Sequence, residues 1–404
     1  MKQNTADSAD ASHRRAVVAI ATATGSASLV VNVWFPFLPL FLLEVGAKDE
    51  PAAVFWVAVG MTAQGVARML GGPLWGLLSD RVGRKKMFVR ALYSAALTAF
   101  VLSMINAPWQ VAIALALQGL LSGFIPAAIA LTSVSVPDAK VKDALSMVSG
   151  AQYLGGAIGP AVGAAMAIAI GYRGAIFSSG VLVATVATAV IFLVPADTVR
   201  RKARDPAGVA IPLEPFKPTL QFALAILLYF SLFAKNAFRS IATPIALKDI
   251  AGPDVTVVTG LTFALGGIAS AMGVWVLSVR FFGKRRLRNT LVMTSVLAAF
   301  GHLLLALSNS VWLYVFAFTV ASFLNASMMP ATNALIAFNV SRERRGTAFG
   351  IASAAQAVAF MAGPMGAALF ATISLKAGFA AVSVLLVALA ALVGFAVREP
   401  SMDK

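Results

Sequence analysis

The sequence predicts an all-α membrane protein with twelve transmembrane helices in two pseudo-symmetric six-helix bundles. Three observations carry that prediction. Hydrophobic residues make up 59% of the 404 and charged residues 12%, too little polar surface to cover a water-soluble globule of this length. The apolar residues gather into runs that can cross ~30 Å of hydrocarbon, which takes about 20 helical residues. The chain also repeats itself. Gln152, Gly159, Pro160 and Ala164 return as Gln356, Gly363, Pro364 and Ala368 at an offset of 204, as do Pro126/Pro330, Ala127/Ala331, Ala130/Ala334 and Leu131/Leu335. A second pair, Gly83-Arg84-Lys85-Lys86 and Gly283-Lys284-Arg285-Arg286, repeats at 200.

In chain order, a polar tail over 1–15 precedes an N-terminal bundle over 16–194, with spans expected at 16–43, 51–78, 87–105, 108–135, 143–170 and 174–194. Every backbone amide in lipid must be bonded within the protein, so runs this long and continuously apolar read as helices, not barrel strands. The first is too long for the apolar region of a signal peptide and reads as an uncleaved helix. Residues 195–218 are broken by Pro195, Pro206, Pro212, Pro215 and Pro218 and carry Arg200, Arg201, Lys202 and Arg204, which suits a cytoplasmic linker. The C-terminal bundle follows over 219–397, with spans at 219–246, 254–280, 288–308, 311–339, 346–372 and 376–397, then a tail over 398–404. The remaining connections are short, so successive helices are antiparallel neighbours.

The net charge of +16 is distributed as a membrane protein distributes it. With the N-terminus cytoplasmic, 25 of the 32 Lys and Arg fall on that side and only Lys48, Arg173, Lys248 and Lys376 face outward. That asymmetry predicts both termini inside, in a plasma (inner) membrane. Basic loops near anionic headgroups account for the charge without any nucleic acid. Absence of Cys excludes thiolate metal sites and Cys nucleophiles. No G-x-x-x-x-G-K-[ST] occurs and no soluble catalytic domain fits, so neither an enzyme, a cofactor nor a metal is expected. The triplets Asn325-Ala326-Ser327 and Asn339-Val340-Ser341 lie in a helix and at an inside end, and read as chance glycosylation matches.

Two motifs are specific. Gly76-Leu77-Leu78-Ser79-Asp80-Arg81-Val82-Gly83-Arg84-Lys85-Lys86 joins spans two and three. Gly76 permits close helix contact, Asp80 puts an anion at a helix end, Gly83 allows a positive-φ turn and the basic residues hold the loop inside. On span five, Gly155-x-x-x-Gly159-Pro160-x-x-Gly163 places a bend beside a face of small residues. The first motif resembles the signature of the major facilitator superfamily, and the second resembles the antiporter motif of its twelve-helix drug/proton exporters. Pro36-x-x-Pro39 on span one is similar to the paired prolines of the same branch. The resemblance implies a conformational latch at Gly76, Asp80, Arg81, Gly83, Arg84 and Lys85, with Asp80 bonding a neighbouring helix end. Arg280 stands where the second half would carry its equivalent, so any latch there is built differently. In that branch helix four carries an arginine three residues before a Gln-Gly pair; here Gln118-Gly119 are present and that position is Leu115.

All 16 acids fall in tails, loops or helix ends, whereas three cations, Arg68, Lys235 and Arg239, fall within spans. A charge at that depth costs at least ~2.5 kcal/mol and is usually kept for a pathway or partner. Either these cations snorkel, bond helix carbonyls and cap a polar pocket, or they line a cavity and meet a substrate anion. His302 reads as a hydrogen-bonded structural residue. The resembled fold lines its cavity with helices 1, 4, 7 and 10, which implies Asn32, Trp34, Phe35, Gln118, Ser122, Asn236, Asn325, Met328, Met329 and Asn333, with Gln152 and Gln356 from adjoining helices. Aromatic and Met surfaces with scattered amides suit adaptable binding of amphipathic molecules.

The expectation is therefore a monomeric secondary carrier that moves a small amphipathic compound outward by alternating access, in exchange for protons, among membrane lipids. Glu44 and Asp80 are the candidate carboxylates for proton coupling. The alternatives are an organic-anion or phospho-compound carrier using Lys235, Arg239 and Arg68, and a lipid flippase; a sensor would need a partner domain that the sequence does not contain.

Overall fold

The computed structural model describes residues 2–121, 123–194, 219–273, 276, 287–326, 328–340 and 345–397. Helix α1 (Lys2–Trp34) passes through a 3-10 turn, Phe35–Phe37, into α2 (Leu38–Glu44). Pro36 lies in that turn, where a residue without an N–H cannot continue the α-helical ladder. Helix α3 (Glu50–Val82) begins where Asp49 Oδ1 accepts the Ala52 amide at 2.8 Å, and Glu50 sits in its first turn, both favourable at a helix N-terminus. Gly83, at φ 107°, makes the turn that the sequence predicts and caps α4 (Arg84–Ser103). Helices α5 (Gln110–Leu121) and α6 (Phe124–Ser135) answer the span expected as one run over 108–135. The run is interrupted because Gly123 takes φ 128°, a conformation that side-chain-bearing residues rarely adopt.

The next run, α7 (Asp138–Leu193), covers spans five and six and turns back at Gly171, φ 73°. Helix α8 (Leu220–Ala251) is capped by the Thr219 hydroxyl, which accepts from the Phe222 amide at 3.1 Å. After Gly252 come α9 (Val255–Gly273), α10 (Leu287–Ala306), α11 (Val311–Ala326), α12 (Met328–Phe338), α13 (Arg345–Ala371) and α14 (Leu375–Ala396). Among the described residues, eight stretches are long and apolar enough to cross a membrane. Two of them, Met147–Leu193 and Leu220–Gly273, run 47 and 54 residues and reverse at positive-φ glycines, so each supplies two crossings. The shorter apolar helices Gln110–Leu121 and Val311–Asn325 complete the twelve. Large apolar side chains face outward, among them Phe395 (94% exposed), Trp312 (83%) and Phe192 (80%), which suits hydrocarbon and not water.

The described residues divide into two compact units, one within Met1–Phe41 and Ala63–Val209, the other within Leu42–Thr62 and Ala210–Lys404. This grouping differs from simple halves at 42–62. Within the second unit Glu50, at the start of α3, pairs with Lys248, near the end of α8. The first unit's core gathers Ile20, Val30, Phe88, Leu131, Val148 and Val183. Its main seams are α1 and α4 along α7. The second unit's core gathers Leu228, Leu232, Leu291, Leu335, Leu386 and Leu389, with α8 along α13 and α10 along α14.

Cations cap helix ends as the macrodipole favours. Lys85 Nζ donates to the Ile191 carbonyl in the last turn of α7 at 2.7 Å. The Arg173 guanidinium donates to the carbonyls of Ser103 and Ile105 at the end of α4, the latter at 2.9 Å.

Candidate functional site

In the first unit the antiporter-like motif is a backbone contact. A Cβ added at Gly155 would collide with the Gly25 carbonyl, and one at Gly163 with the Val33 carbonyl. One at Gly159 would lie 2.6 Å from Asn32 Cβ and 2.7 Å from the Leu29 carbonyl. Contacts advance together along both chains, so α1 and the first arm of α7 run parallel, with every fourth residue of α7 seated on α1. Small residues allow that approach, and van der Waals contact then holds the pair in lipid. Buried Pro160 lies next to Gly159 on this seam.

The second unit copies the seam with a looser fit. Gly363 faces the Ala234 carbonyl, with its built Cβ 2.8 Å from Ala237 Cβ and 2.9 Å from the Phe238 amide nitrogen. Gly155 and Gly163 are replaced at offset 204 by Ala359 and Ala367, both fully buried. The contacts also correct the register. Leu29 and Asn32 correspond to Ala234 and Ala237, an offset of 205, and Pro39 and Pro244 share it.

Polar residues of the first unit cluster where α3 meets α5. Gln64 Nε2 donates to Gln118 Oε1, and Gln118 is buried. Gly71 and Gly119 make the approach possible, each facing a backbone carbonyl of the other helix, Leu120 and Gln64. Leu115, where the exporters' arginine would stand, is fully buried. Asn32 Nδ2 bonds its own helix at the Ser28 carbonyl, 2.8 Å away. Trp34 is buried with Nε1 unpartnered among the described residues, beside a small cleft lined by Phe37, Phe41, Gly163 and Tyr172. Phe35 is half-buried and meets the Trp34 ring edge-on, and Gln152 is half-buried. Arg68 is exposed on α3. Ser122 lies outside the described residues.

Gln64→Leu is expected to leave the Gln118 carbonyl unpaired and to lower stability by about 1 kcal/mol, the scale of hydrogen bonds between membrane helices. Thermal unfolding in detergent checks this, with Gln64→Leu/Gln118→Leu expected to recover most of the loss.

The second unit holds a buried cationic cluster. Lys235 (3% exposed) donates to Asn325 Oδ1 across α8 and α11. One turn along, Arg239 Nη1 donates to Ser322 Oγ at 3.0 Å, and its guanidinium lies 4.3 Å from the Phe318 ring centroid. Asn236 Oδ1 and Asn325 Nδ2 are buried without hydrogen-bond partners among the described residues. Tyr314 donates to Thr243 at 3.1 Å close by. His302 bonds the Ala298 carbonyl of its own helix at 2.8 Å and is fully buried. Met328 belongs to the apolar core and Met329 packs against it, while Asn333 and Gln356 are half-buried.

Of the residues expected to form a latch, Gly83 makes its turn, Lys85 caps α7 and Arg84 is half-buried at the start of α4. Gly76, Asp80 and Arg81 lie in α3, and their side chains are outside the described residues, as is Arg280. Nearby, Trp75 Nε1 donates to the Leu120 carbonyl at 2.6 Å, and Arg90 stacks 3.7 Å from the Trp75 centroid, joining α3, α4 and α5. Glu44 is exposed at the end of α2. No cluster of His, Cys, Asp and Glu suited to a metal occurs among the described residues.

Sequence reasoning missed Gln64 and Ser322. Gln64 precedes Arg68 by one turn in an apolar run, and a search for amides as well as charges finds it. Ser322 stands at Gln118 plus 204, so the repeat itself marks it.

The model of the Major Facilitator Superfamily matches residues 20–288 and 276–404. Multidrug resistance protein MdtG of Proteus mirabilis is 30% identical over 354 residues, 85% of this chain and 86% of that protein. Among solved structures, the nucleoside transporter NupG superposes with a TM-score of 0.73 at 14% identity, covering 94% of this chain and 97% of that one. A bacterial homologue of the human lysosomal transporter Spinster gives 0.74 at 13%, covering 95% and 96%. The twelve crossings, the duplicated glycine-proline seam and the turn at Gly83 agree with these matches, and the chain belongs to the Major Facilitator Superfamily.

Proposed function

We propose that this multi-pass membrane protein exports small amphipathic compounds by alternating access, in exchange for protons, from the plasma (inner) membrane with both termini cytoplasmic. The observation that carries the reading is the alignment, along 85% of the chain, with a relative named a multidrug resistance protein. The seam supports it. Close-packed parallel pairs, α1 with α7 and α8 with α13, recur in both units, each with a proline beside its glycine. Such pairs are stiff along their glycine faces and free to bend at the proline, which suits rigid units that rock. The half-buried amides Asn32, Gln152, Asn333 and Gln356 offer polar contacts for amphipathic cargo. Proton exchange runs here without the branch's helix-four arginine, leaving Glu44 and Asp80 as its candidate carboxylates. The protein acts as a monomer.

The test is the full chain in proteoliposomes, with dyes and small organic ions loaded on one side and a pH gradient imposed. Gradient-driven movement abolished by a protonophore is expected. Movement indifferent to pH and voltage overturns proton exchange. Movement of labelled phospholipid in place of all soluble compounds shows a flippase instead.

A further inference from the structure

The second unit holds two cations that its described acids do not reach. Lys235 sits midway along α8, and Arg239 one turn on. Glu44, Asp49, Glu50, Asp249 and Asp254, the unit's acids among the described residues, all lie at helix ends or in turns. The one nearest in sequence, Asp249, is ~21 Å along the helix from Lys235 and ~15 Å from Arg239, at 1.5 Å per residue. Both cations have only neutral partners, Asn325 and Ser322.

The internal repeat shows that the fold does not require these charges. In the register that the seam contacts define, Lys235 corresponds to Val30 and Arg239 to Trp34; on the fourth and tenth helices the sequence offset of 204 pairs Asn325 with Leu121. Val30 is a core residue of the first unit. One copy of the scaffold therefore carries a core valine and a half-buried leucine where the other carries an ammonium bonded to an amide. A mid-membrane cation is costly, and a duplicated scaffold that folds without it points to a ligand that compensates it.

Resting on the transport reading above, we infer that Lys235 and Arg239 bind the oxyanion of the cargo, a carboxylate or phosphonate on a small amphipathic molecule. Half-buried Arg239 brings a planar fork of donors and buried Lys235, one turn before it on the same helix, a point charge. Asn325 Nδ2, a buried donor with no partner among the described residues, supplies a third hydrogen bond beside Lys235. The buried Phe318 ring lies under the guanidinium and holds the fork in place. A cargo of this class is negatively charged at one end and hydrophobic at the other.

The experiment is thermal unfolding of the purified full chain with naphthoate, naphthylphosphonate, methyl naphthoate and inorganic phosphate. Naphthoate or naphthylphosphonate is expected to raise Tm at concentrations where the ester and phosphate do not, since stabilisation follows ligand excess over Kd. Lys235→Val and Arg239→Gln are expected to weaken that apparent affinity at least ~10-fold, while Lys235→Arg retains it. Lys235→Val reproduces the first copy's residue, so its own ligand-free Tm reports whether it folds; Arg239→Gln and Lys235→Arg carry the test if it does not. Equal shifts with the methyl ester, or unchanged naphthoate binding in Lys235→Val and Arg239→Gln, overturn the inference. Phosphate matching naphthoate shows a free inorganic-anion site and overturns the cargo assignment. A naphthoate shift lost in these variants, in a protein that moves no compound across proteoliposomes, supports the anion site and overturns the transport reading alone.

Discussion

Gly163→Ala is expected to destabilise the protein by more than about 2 kcal/mol and to abolish transport, although a Gly→Ala change inside a helix ordinarily gains about 1 kcal/mol. The sign inverts because the added methyl would occupy the place of the Val33 carbonyl, a backbone atom that no rotamer can move. Helices α1 and α7 would have to part along the seam, losing the dispersion contacts that hold them in lipid. Two controls separate this from a general effect of the substitution. Gly150→Ala, on the same helix with open space around it, is expected to be neutral or stabilising. Ala367→Gly, at the matching place in the second unit, is expected to cost helix propensity and the contacts of one buried methyl, about 1–2 kcal/mol in all, with the seam left intact. Unfolding in a detergent series and dye efflux from cells or proteoliposomes measure both consequences. A Gly163→Ala protein as stable and active as the parent would show that the helices are not in backbone contact.

Asn325→Leu is the second large effect expected. It installs the first copy's residue but leaves the Lys235 ammonium with no acceptor at mid-membrane, where an uncompensated cation costs about 2.5–3.5 kcal/mol. Stability is expected to fall by about that amount. Adding Lys235→Val is expected to restore it, because both positions then carry the apolar residues of the first copy, core Val30 and half-buried Leu121. The resulting double-mutant cycle isolates the coupling of the two side chains, expected at about 2 kcal/mol or more. Near-additive effects would mean that Lys235 finds another acceptor in the folded protein, and that its bond to Asn325 is incidental.

These two experiments draw on different kinds of legibility. The glycine seam was readable as spacing: residues four apart on a helix share a face, and small ones in an apolar run imply a close neighbour. Which neighbour was not readable, because any of several helices could supply the carbonyls. The contacts name α1, and show that the first and seventh helices repeat at 205 while the fifth and eleventh repeat at 204. Without that single-residue correction Lys235 would be set against half-buried Val31; the corrected register sets it against Val30, a core residue of the first unit.

The three intramembrane cations make the same point. In the sequence Arg68, Lys235 and Arg239 are equivalent anomalies, since hydropathy records depth along a helix and not direction around it. In the fold Lys235 is buried against Asn325, Arg239 rests between Phe318 and Ser322, and Arg68 is exposed. Met328, grouped by the sequence with cavity residues, lies in the apolar core instead.

Composition and run length alone determined that this chain crosses a membrane twelve times, since lipid admits only segments that bond their own backbone. The offset of 204 alone determined that its halves are copies, and the loop at Gly83 and the seam glycines placed it beside the exporters it resembles. Tertiary structure decided where helices pair, which polar groups meet, and that one copy carries a buried charge where the other carries valine. Those outcomes depend on the rotation of each helix about its axis, a quantity that neighbouring helices set through contact and that a linear pattern of apolar residues leaves free.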